Sequence, residues 1–315
     1  MQTDPNPFIE LKINRDLGGI VTAYFDFLKQ NLKKFTNIFL SYNGIFLIGL
    51  LIVSYLLVSG FVGLIANENN SGFGDAGIED ESYLIYMGVG GVLFFIIFIA
   101  LAILNYSLAG GYMIKYEEHR GNNFDKKEVW DFFRNRLGSV FGFVLLLIVL
   151  YIGFMIVSII FAIIPIIGMF AQYIVQFFIT AWVGVSFFAM LHDNKGVTES
   201  YGEGWNLVYN NFWKCVGVNF VLGLLNGVLL LVVLMIPGIL IGFYTFHVVS
   251  NEVDVSISII PTIIYTIGTC FFLIVFVYSQ CITQFVNGLL YYALHEKTYN
   301  TNVRSKIDEI GKLGE

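Results

Sequence analysis

The chain has 315 residues, 57% of them hydrophobic and 13% charged, with a mean hydropathy of +0.75 and a formal net charge of -6. A soluble domain carries about 25% charged residues, so a chain this poor in charge cannot cover a water-facing surface. That excludes an ordinary soluble protein and implies an all-α polytopic membrane protein whose apolar exterior faces lipid.

Residues 1–16 are predicted to be a cytoplasmic N-terminal segment. Met1 to Lys34 holds five basic and four acidic residues and no apolar core, so no signal peptide is expected there. Next comes "LGGIVTAYFDFLKQNLKKF", Leu17 to Phe35. Leu17, Ile20, Val21, Tyr24, Phe27, Leu28 and Leu32 recur at three- and four-residue steps, which predicts an amphipathic helix. A bilayer takes about 20 apolar residues per crossing. Charge-free stretches then place two spans near 39–65 and 84–110.

"DKKEVWDFFRNRLGSV", Asp125 to Val140, is a second amphipathic segment, with Asp125 and Glu128 at capping-box spacing. The 56 residues from 137 to 192, which carry no Asp, Glu, Lys or Arg, divide at Pro165 into spans near 139–163 and 167–190, with a tight turn at Ile164–Gly168. "TESYGEGWNLVYNNFWKCV", Thr198 to Val216, is the third amphipathic segment, with Trp205, Val208, Phe212 and Cys215 on one side. Spans near 216–247 and 260–293 follow. Pro237 is expected to kink the fifth span, and Pro261 falls at the start of the sixth, where it is tolerated.

Six spans divide the remaining residues into two sets of flanks. One set holds all 17 Lys and Arg; the other holds none, but has seven acids, Glu68, Asp75, Glu79, Asp80, Glu81, Glu252 and Asp254. Basic residues favour the cytoplasmic side, so both termini are expected there, in a bacterial cytoplasmic (inner) membrane. The basic flanks carry 17 bases against 16 acids, so a nucleic-acid partner is not expected.

The second and third amphipathic segments align with the first at offsets of 105 and 180 residues. Leu28, Phe133 and Val208 then share a column, as do Leu32, Leu137 and Phe212, and Asn31, Arg136 and Asn211. The chain reads as three units of one plan: an interfacial amphipathic helix, a span out and a span back. The units are 17–112, 123–191 and 197–295, followed by a cytoplasmic tail, 296–315. Trp130, Trp205 and Trp213 are the expected interfacial anchors, since an indole suits headgroup depth. The plainer reading is that any approach to a span has this composition.

Three such segments feeding six spans, with "EGWNLVYNNFWKCVGV" before the fifth, resemble the bacterial family named for the membrane domain of glycerophosphoryl diester phosphodiesterase. The resemblance covers about 12–295 and implies a membrane fold without the catalytic barrel. "HRG" at His119 to Gly121 resembles the His-Arg-Gly near the start of the catalytic domain of glycerophosphodiester phosphodiesterases. A transmembrane run follows it here, however, and a barrel of about 250 residues has no room, so the tripeptide reads as a linker.

Other chemistry is sparse. "GFGDAG", Gly72 to Gly77, sits in an acidic loop rather than between a strand and a helix, so no nucleotide cofactor is expected. The acids Asp75 and Glu79 to Glu81 lack calcium-loop order, and His119, His192, His247 and His295 lack metal-ligand spacing. Cys215, Cys270 and Cys281 read as packing residues, and no metal site is expected. No nucleophile–base pair is apparent, so no catalytic residue is assigned and an enzyme is not expected.

Neutral polar residues do lie in the spans. Gln280, Gln284 and Asn287 follow i, i+4, i+7 on the sixth, and Gln172 and Gln176 follow i, i+4 on the fourth. Each is either glue between helices or the lining of a polar groove. Two functions remain in view. One is a non-enzymatic scaffold, assembly factor or accessory subunit of an envelope complex, with protein partners in the membrane or cytoplasm. The other is a transporter or lipid-handling protein with a polar groove around the fourth to sixth spans.

Overall fold

The computed structural model describes residues 8–70, 82–164, 166–251 and 259–313. Eight helices occupy them: α1 (Leu17–Asn70), α2 (Ser82–Glu118), α3 (Lys126–Ala162), α4 (Ile167–His192), α5 (Val197–Tyr209), α6 (Phe212–Ser250), α7 (Ile259–Tyr299) and α8 (Thr301–Leu313). Six of these, α1 to α4, α6 and α7, are long and apolar enough to cross a membrane. Among the described residues there is no strand. The fold is an all-α polytopic membrane protein.

Only the third amphipathic segment forms a helix of its own. The first is the opening of the 54-residue α1, and the second is the opening of α3. Neither meets a residue that ends a helix: "FLKQNLKKFTNIFL" contains no Gly or Pro, and in α3 a lone Gly138 is tolerated. Between α5 and α6 the chain turns at Asn210 and Asn211. Asparagine competes for backbone groups through its side chain, and Asn211 Nδ2 donates to the Leu207 carbonyl at 2.9 Å.

The corners partly follow expectation. Ile166, between α3 and α4, takes φ +61°, and a Cβ on Gly168 would lie 1.9 Å from the Phe161 carbonyl oxygen. That closeness demands glycine there. Pro165 itself lies outside the described residues, as do the acidic stretch 71–81 and residues 252–258. Pro261 falls in the first turn of α7, where its missing donor is harmless. α6 runs without interruption through Pro237.

The chain forms two compact units. Unit 1 comprises Met1–Ile38, Ile103–Asn226 and Gln280–Glu315; unit 2 comprises Phe39–Ala102 and Gly227–Ser279. All 17 Lys and Arg fall in the sequence of unit 1 and none in that of unit 2. Compactness and charge therefore partition the chain in the same way.

Unit 2 packs through glycines. A Cβ at Gly60 would meet Met87 at 2.5 Å, one at Gly63 Tyr83 at 2.6 Å, and one at Gly268 Ile241 at 2.3 Å. Ile45, Phe61, Ile96, Leu231 and Phe243 are exposed, as lipid-facing side chains are.

Unit 1 has an aromatic core. Phe27 lies edge-on to Tyr116 and Phe285 at centroid distances of 5.0 and 5.1 Å, and Phe143 stacks on Tyr201 at 4.5 Å. Phe27, Tyr112, Phe187, Phe285 and Tyr291 have no exposed surface. Lys34 donates to the carbonyls of Asn122 and Phe124 and lies 3.8 Å from the Phe124 ring, which fastens α1 to the linker after α2.

The aligned columns behave alike. Leu28, Phe133 and Val208 are all buried. In the column of Asn31, Arg136 and Asn211, each residue reaches the return span of its own repeat. Tyr112 Oη donates to Asn31 Oδ1 at 2.8 Å, Arg136 Nη1 to the Met190 carbonyl at 3.4 Å, and Lys297 Nζ to Asn211 Oδ1 at 2.6 Å. Leu32 and Leu137, expected on the apolar faces, are 40% and 48% exposed.

Candidate functional site

The intramembrane amides differ in burial. Gln284 and Asn287 are buried, each 1% exposed; Gln280 and Gln172 are half-buried, and Gln176 is exposed. Gln284 meets the Tyr106 hydroxyl, and Asn287 lies against Gly184, where a Cβ would come within 2.1 Å of its Cγ. Gln284 Oε1 and Asn287 Oδ1 are buried without a hydrogen-bond partner. The periodicity thus found a buried pair on α7, but the α4 amides do not share its burial.

Several other polar side chains of the long helices are satisfied locally, although Ser59, Ser158, Ser186, Asn226 and Thr266 each keep a buried polar atom without a partner. Asn31, Asn43, Ser54, Ser107 and Asn219 each donate to the carbonyl four residues earlier, at 2.8, 2.9, 2.7, 2.8 and 3.1 Å. Such bonds remove the penalty of a bare donor in an apolar medium without asking for a ligand.

The tryptophan anchors differ in exposure. Trp213 is 74% exposed, and Trp205 is 42% exposed with Tyr209 stacked on it at 5.9 Å. Trp130 is half-buried against Phe133 at 5.3 Å. α5 is held to α4 by Trp182 Nε1, which donates to the Tyr201 carbonyl at 2.9 Å. Gly204 permits this approach, since a Cβ there would lie 2.0 Å from Ser186 Oγ.

The densest polar chemistry gathers where α4 ends beside α7. Asp193 caps α4; its Oδ1 lies 2.7 Å from His192 Nδ1 and 3.9 Å from His295 Nε2, and its Oδ2 lies 3.6 Å from Lys195 Nζ. Lys195 also reaches Glu203 at 3.5 Å, and Tyr299 Oη donates to Glu203 at 2.6 Å. The His192 ring contacts Tyr291 and Tyr292 at 5.6 and 5.4 Å. Burial opposes the charge on Asp193, but the His192 hydrogen bond and the nearby imidazoles outweigh it and hold its pKa at about 2. An open cavity of about 770 Å³ lies here, lined on its other side by Arg304, Asp308 and Glu309 of α8.

Helix α8 is fixed at both ends of its first turns. Glu296, 3% exposed, accepts from Thr301 Oγ1 at 3.0 Å and from the backbone N–H groups of Asn302 and Val303 at 2.9 and 3.1 Å. A carboxylate so placed satisfies otherwise bare donors and complements the helix dipole. Asn302 Nδ2 then donates to Glu10 Oε1 at 2.7 Å and to the Lys12 carbonyl at 2.8 Å, and Lys306 pairs with Glu10 at 2.5 Å. The Lys306 hydrogen bond holds the Glu10 carboxyl below its ordinary range. Val303, Ile307 and Ile310, at i, i+4, i+7, remain 50, 61 and 70% exposed.

"HRG" is the end of α2. Gly121 N–H donates to the Tyr116 carbonyl at 3.0 Å and Arg120 N–H to that of Glu117 at 3.3 Å, a Schellman termination with Arg120 at φ +48°. His119 Nε2 lies 2.8 Å from Glu128, whose other oxygen accepts the Asp125 N–H at 2.8 Å. Spacing rules for metals and motifs passed over His192, Asp193, His295 and Tyr291. The available signal was a histidine–aspartate pair at the end of one span and tyrosines with a histidine one turn apart near the end of another. Among the described residues, no three His, Cys, Asp or Glu side chains gather as a metal would need.

Comparison with protein-family models, with curated proteins and with solved structures finds no match.

Proposed function

We propose that the protein is a non-enzymatic membrane scaffold or accessory subunit that holds a protein partner on α8, at the cytoplasmic side of a bacterial inner membrane. The observation that carries this is the fixed but uncovered apolar stripe of α8, Val303, Ile307 and Ile310. A mobile tail needs no buried carboxylate beneath its first turn, yet Glu296 and the Glu10–Lys306 pair hold this one. Charged residues flank the stripe, which suits a rim around a small apolar contact. The cytoplasmic placement rests on the charge sorting. The resemblance to the membrane-domain family belongs to this proposal and rests on the three amphipathic segments alone.

The test is a photo-crosslinking amino acid at Ile307 in native membranes, read by mass spectrometry. One discrete protein adduct, lost when Val303 and Ile310 are changed to Lys, is expected. Adducts to lipid alone, or none, overturn the proposal.

A second reading, lipid handling or transport, draws on the unpartnered oxygens of Gln284 and Asn287. Proteoliposome transport abolished by Gln284→Leu would establish it in place of the first.

A further inference from the structure

A smaller cavity, about 330 Å³, lies in unit 1 among four of the long helices. Glu117 and Arg120 come from the end of α2, Arg136 from the early turns of α3, His192 from the end of α4, Tyr292 from α7 and Lys12 from the N-terminal segment. Its volume lies in the range of small-molecule sites, about 300–1,000 Å³.

Two of its polar atoms are buried without a hydrogen-bond partner: Tyr292 Oη, on a side chain 1% exposed, and Glu117 Oε2. Buried groups are rarely left so, and each such group calls for an explanation. Three cations, Lys12, Arg120 and Arg136, line the same cavity. Glu118, the other acid of the lining, is engaged by Lys115 at 2.6 Å and also lies near Arg136, while Lys12 lies near Glu117. Arg136 is held in place by the Met190 carbonyl and by the Phe132 ring, 4.7 Å away. Arg120 occupies a left-handed position where glycine would cost less.

The lining therefore offers surplus positive charge, one phenolic donor and one carboxylate acceptor. A lone anion would meet the cations and the phenol but would be repelled by Glu117. An ammonium group would meet Glu117 but would be repelled by three cations. A monoanion that also carries a hydroxyl satisfies every group. The ends of membrane spans mark headgroup depth, where phospholipid supplies such groups, and basic pockets between spans take lipid headgroups.

We propose that this cavity binds the headgroup of an anionic phospholipid bearing a hydroxyl. Lys12, Arg120, Arg136 and the Tyr292 hydroxyl hold the phosphodiester, and Glu117 Oε2 accepts from the headgroup hydroxyl. The site shares Lys12 with the strap that holds α8, through the Asn302 bond to its carbonyl, but not the exposed stripe of Val303, Ile307 and Ile310, so lipid binding and partner crosslinking report on them separately.

The experiment is native mass spectrometry of the full chain in neutral detergent. It is titrated with phosphatidylglycerol, with phosphatidylmethanol (equal charge, no hydroxyl) and with phosphatidylcholine. Phosphatidylglycerol should bind about tenfold more tightly than phosphatidylmethanol, the worth of one hydrogen bond to a charged group, and phosphatidylcholine most weakly. Tyr292→Phe removes a hydroxyl with no partner in the fold, so lipid-free thermal stability should hold while both anionic lipids lose about tenfold. Glu117→Gln should erase the preference for phosphatidylglycerol. Equal binding of the two anionic lipids by the unaltered protein overturns the proposal, as does unaltered binding by Tyr292→Phe. Full displacement by inorganic phosphate assigns the site to a free anion and overturns the lipid claim.

Discussion

Tyr112 reaches from α2 to α1 and donates its hydroxyl to Asn31 Oδ1 at 2.8 Å, in a place where neither side chain sees solvent. The amide of Asn31 meanwhile donates to the Phe27 carbonyl at 2.8 Å, so both of its ends are satisfied. Removing Tyr112 takes the hydroxyl donor from Asn31 Oδ1, and removing Asn31 leaves the Tyr112 hydroxyl only the longer contact to Asn122 Oδ1 at 3.2 Å. Tyr112→Phe and Asn31→Leu should each destabilise by about 1–3 kcal/mol. The double variant should cost less than their sum, with a coupling of about 0.5–3 kcal/mol. Unfolding of the four proteins in detergent measures it; strictly additive losses would show that the bond contributes nothing.

Glycine packing predicts a contrast. A Cβ at Gly184 would sit 2.1 Å from Asn287 Cγ, and one at Gly204 would sit 2.0 Å from Ser186 Oγ. Overpacking of this kind costs about 1–3 kcal/mol, so Gly184→Ala and Gly204→Ala should both lower the melting temperature. Gly153, with nothing within 4 Å, lies inside α3, and there alanine should be neutral or gain up to about 1 kcal/mol.

Much of the architecture was legible in the amino acids. The six spans follow from charge-free runs, and the close grouping of all basic residues in unit 1 follows from the same sorting. What periodicity could not show was whether an amphipathic segment ends before the span it feeds. Leu17 to Phe35 runs into α1 because nothing after it competes for the backbone, whereas the Asn210–Asn211 pair stops α5. The α7 amides Gln284 and Asn287 were found by spacing. Gln176 was not separable from them, because a repeat of four residues names a face but not what covers it. The His192–Asp193–His295 cluster escaped because His295 lies about a hundred residues from the adjacent His192–Asp193 pair and meets it only when α4 and α7 pack.

Acid should reveal that cluster. Asp193 has its pKa held at about 2 in the fold, against an ordinary 3.8. A depressed carboxyl stabilises the fold above its unfolded value, and this contribution is lost as pH falls through the folded one. The loss should therefore run between about pH 4 and pH 2 and amount to about 2 kcal/mol. Asp193→Asn should be less stable than the unaltered protein at pH 6, and the gap should close toward pH 2. A gap that stays constant would show that Asp193 gains nothing from its imidazole neighbours.

Glu296→Gln should free α8. The variant retains an acceptor oxygen but loses the charge that two backbone donors and Thr301 share. Trypsin should then cleave after Arg304 and Lys306 faster in the variant, while cleavage after Arg134 keeps its rate. A parallel rise at all three sites would mean global loosening instead.

Sidedness can be read with thiol reagents. Cys215, Cys270 and Cys281 are all buried, so the native chain should stay dark to a membrane-impermeant maleimide. Lys126→Cys should stay dark in intact cells and label after permeabilisation, and Ser71→Cys should label in both. Equal labelling of the two positions would end the proposed orientation.

Unit 1 is assembled from the first, the middle and the last parts of the chain, with Glu10 bonded to Lys306 across almost the whole length. A ribosome delivers these pieces in order, so the unit cannot close until translation is over. Until then Asn302 and Lys306 have not arrived, and the amino-terminal strap has no mate. A premature stop anywhere before the seventh helix ends should therefore leave inserted but unfinished protein, which quality-control proteases would clear, rather than a shortened working version.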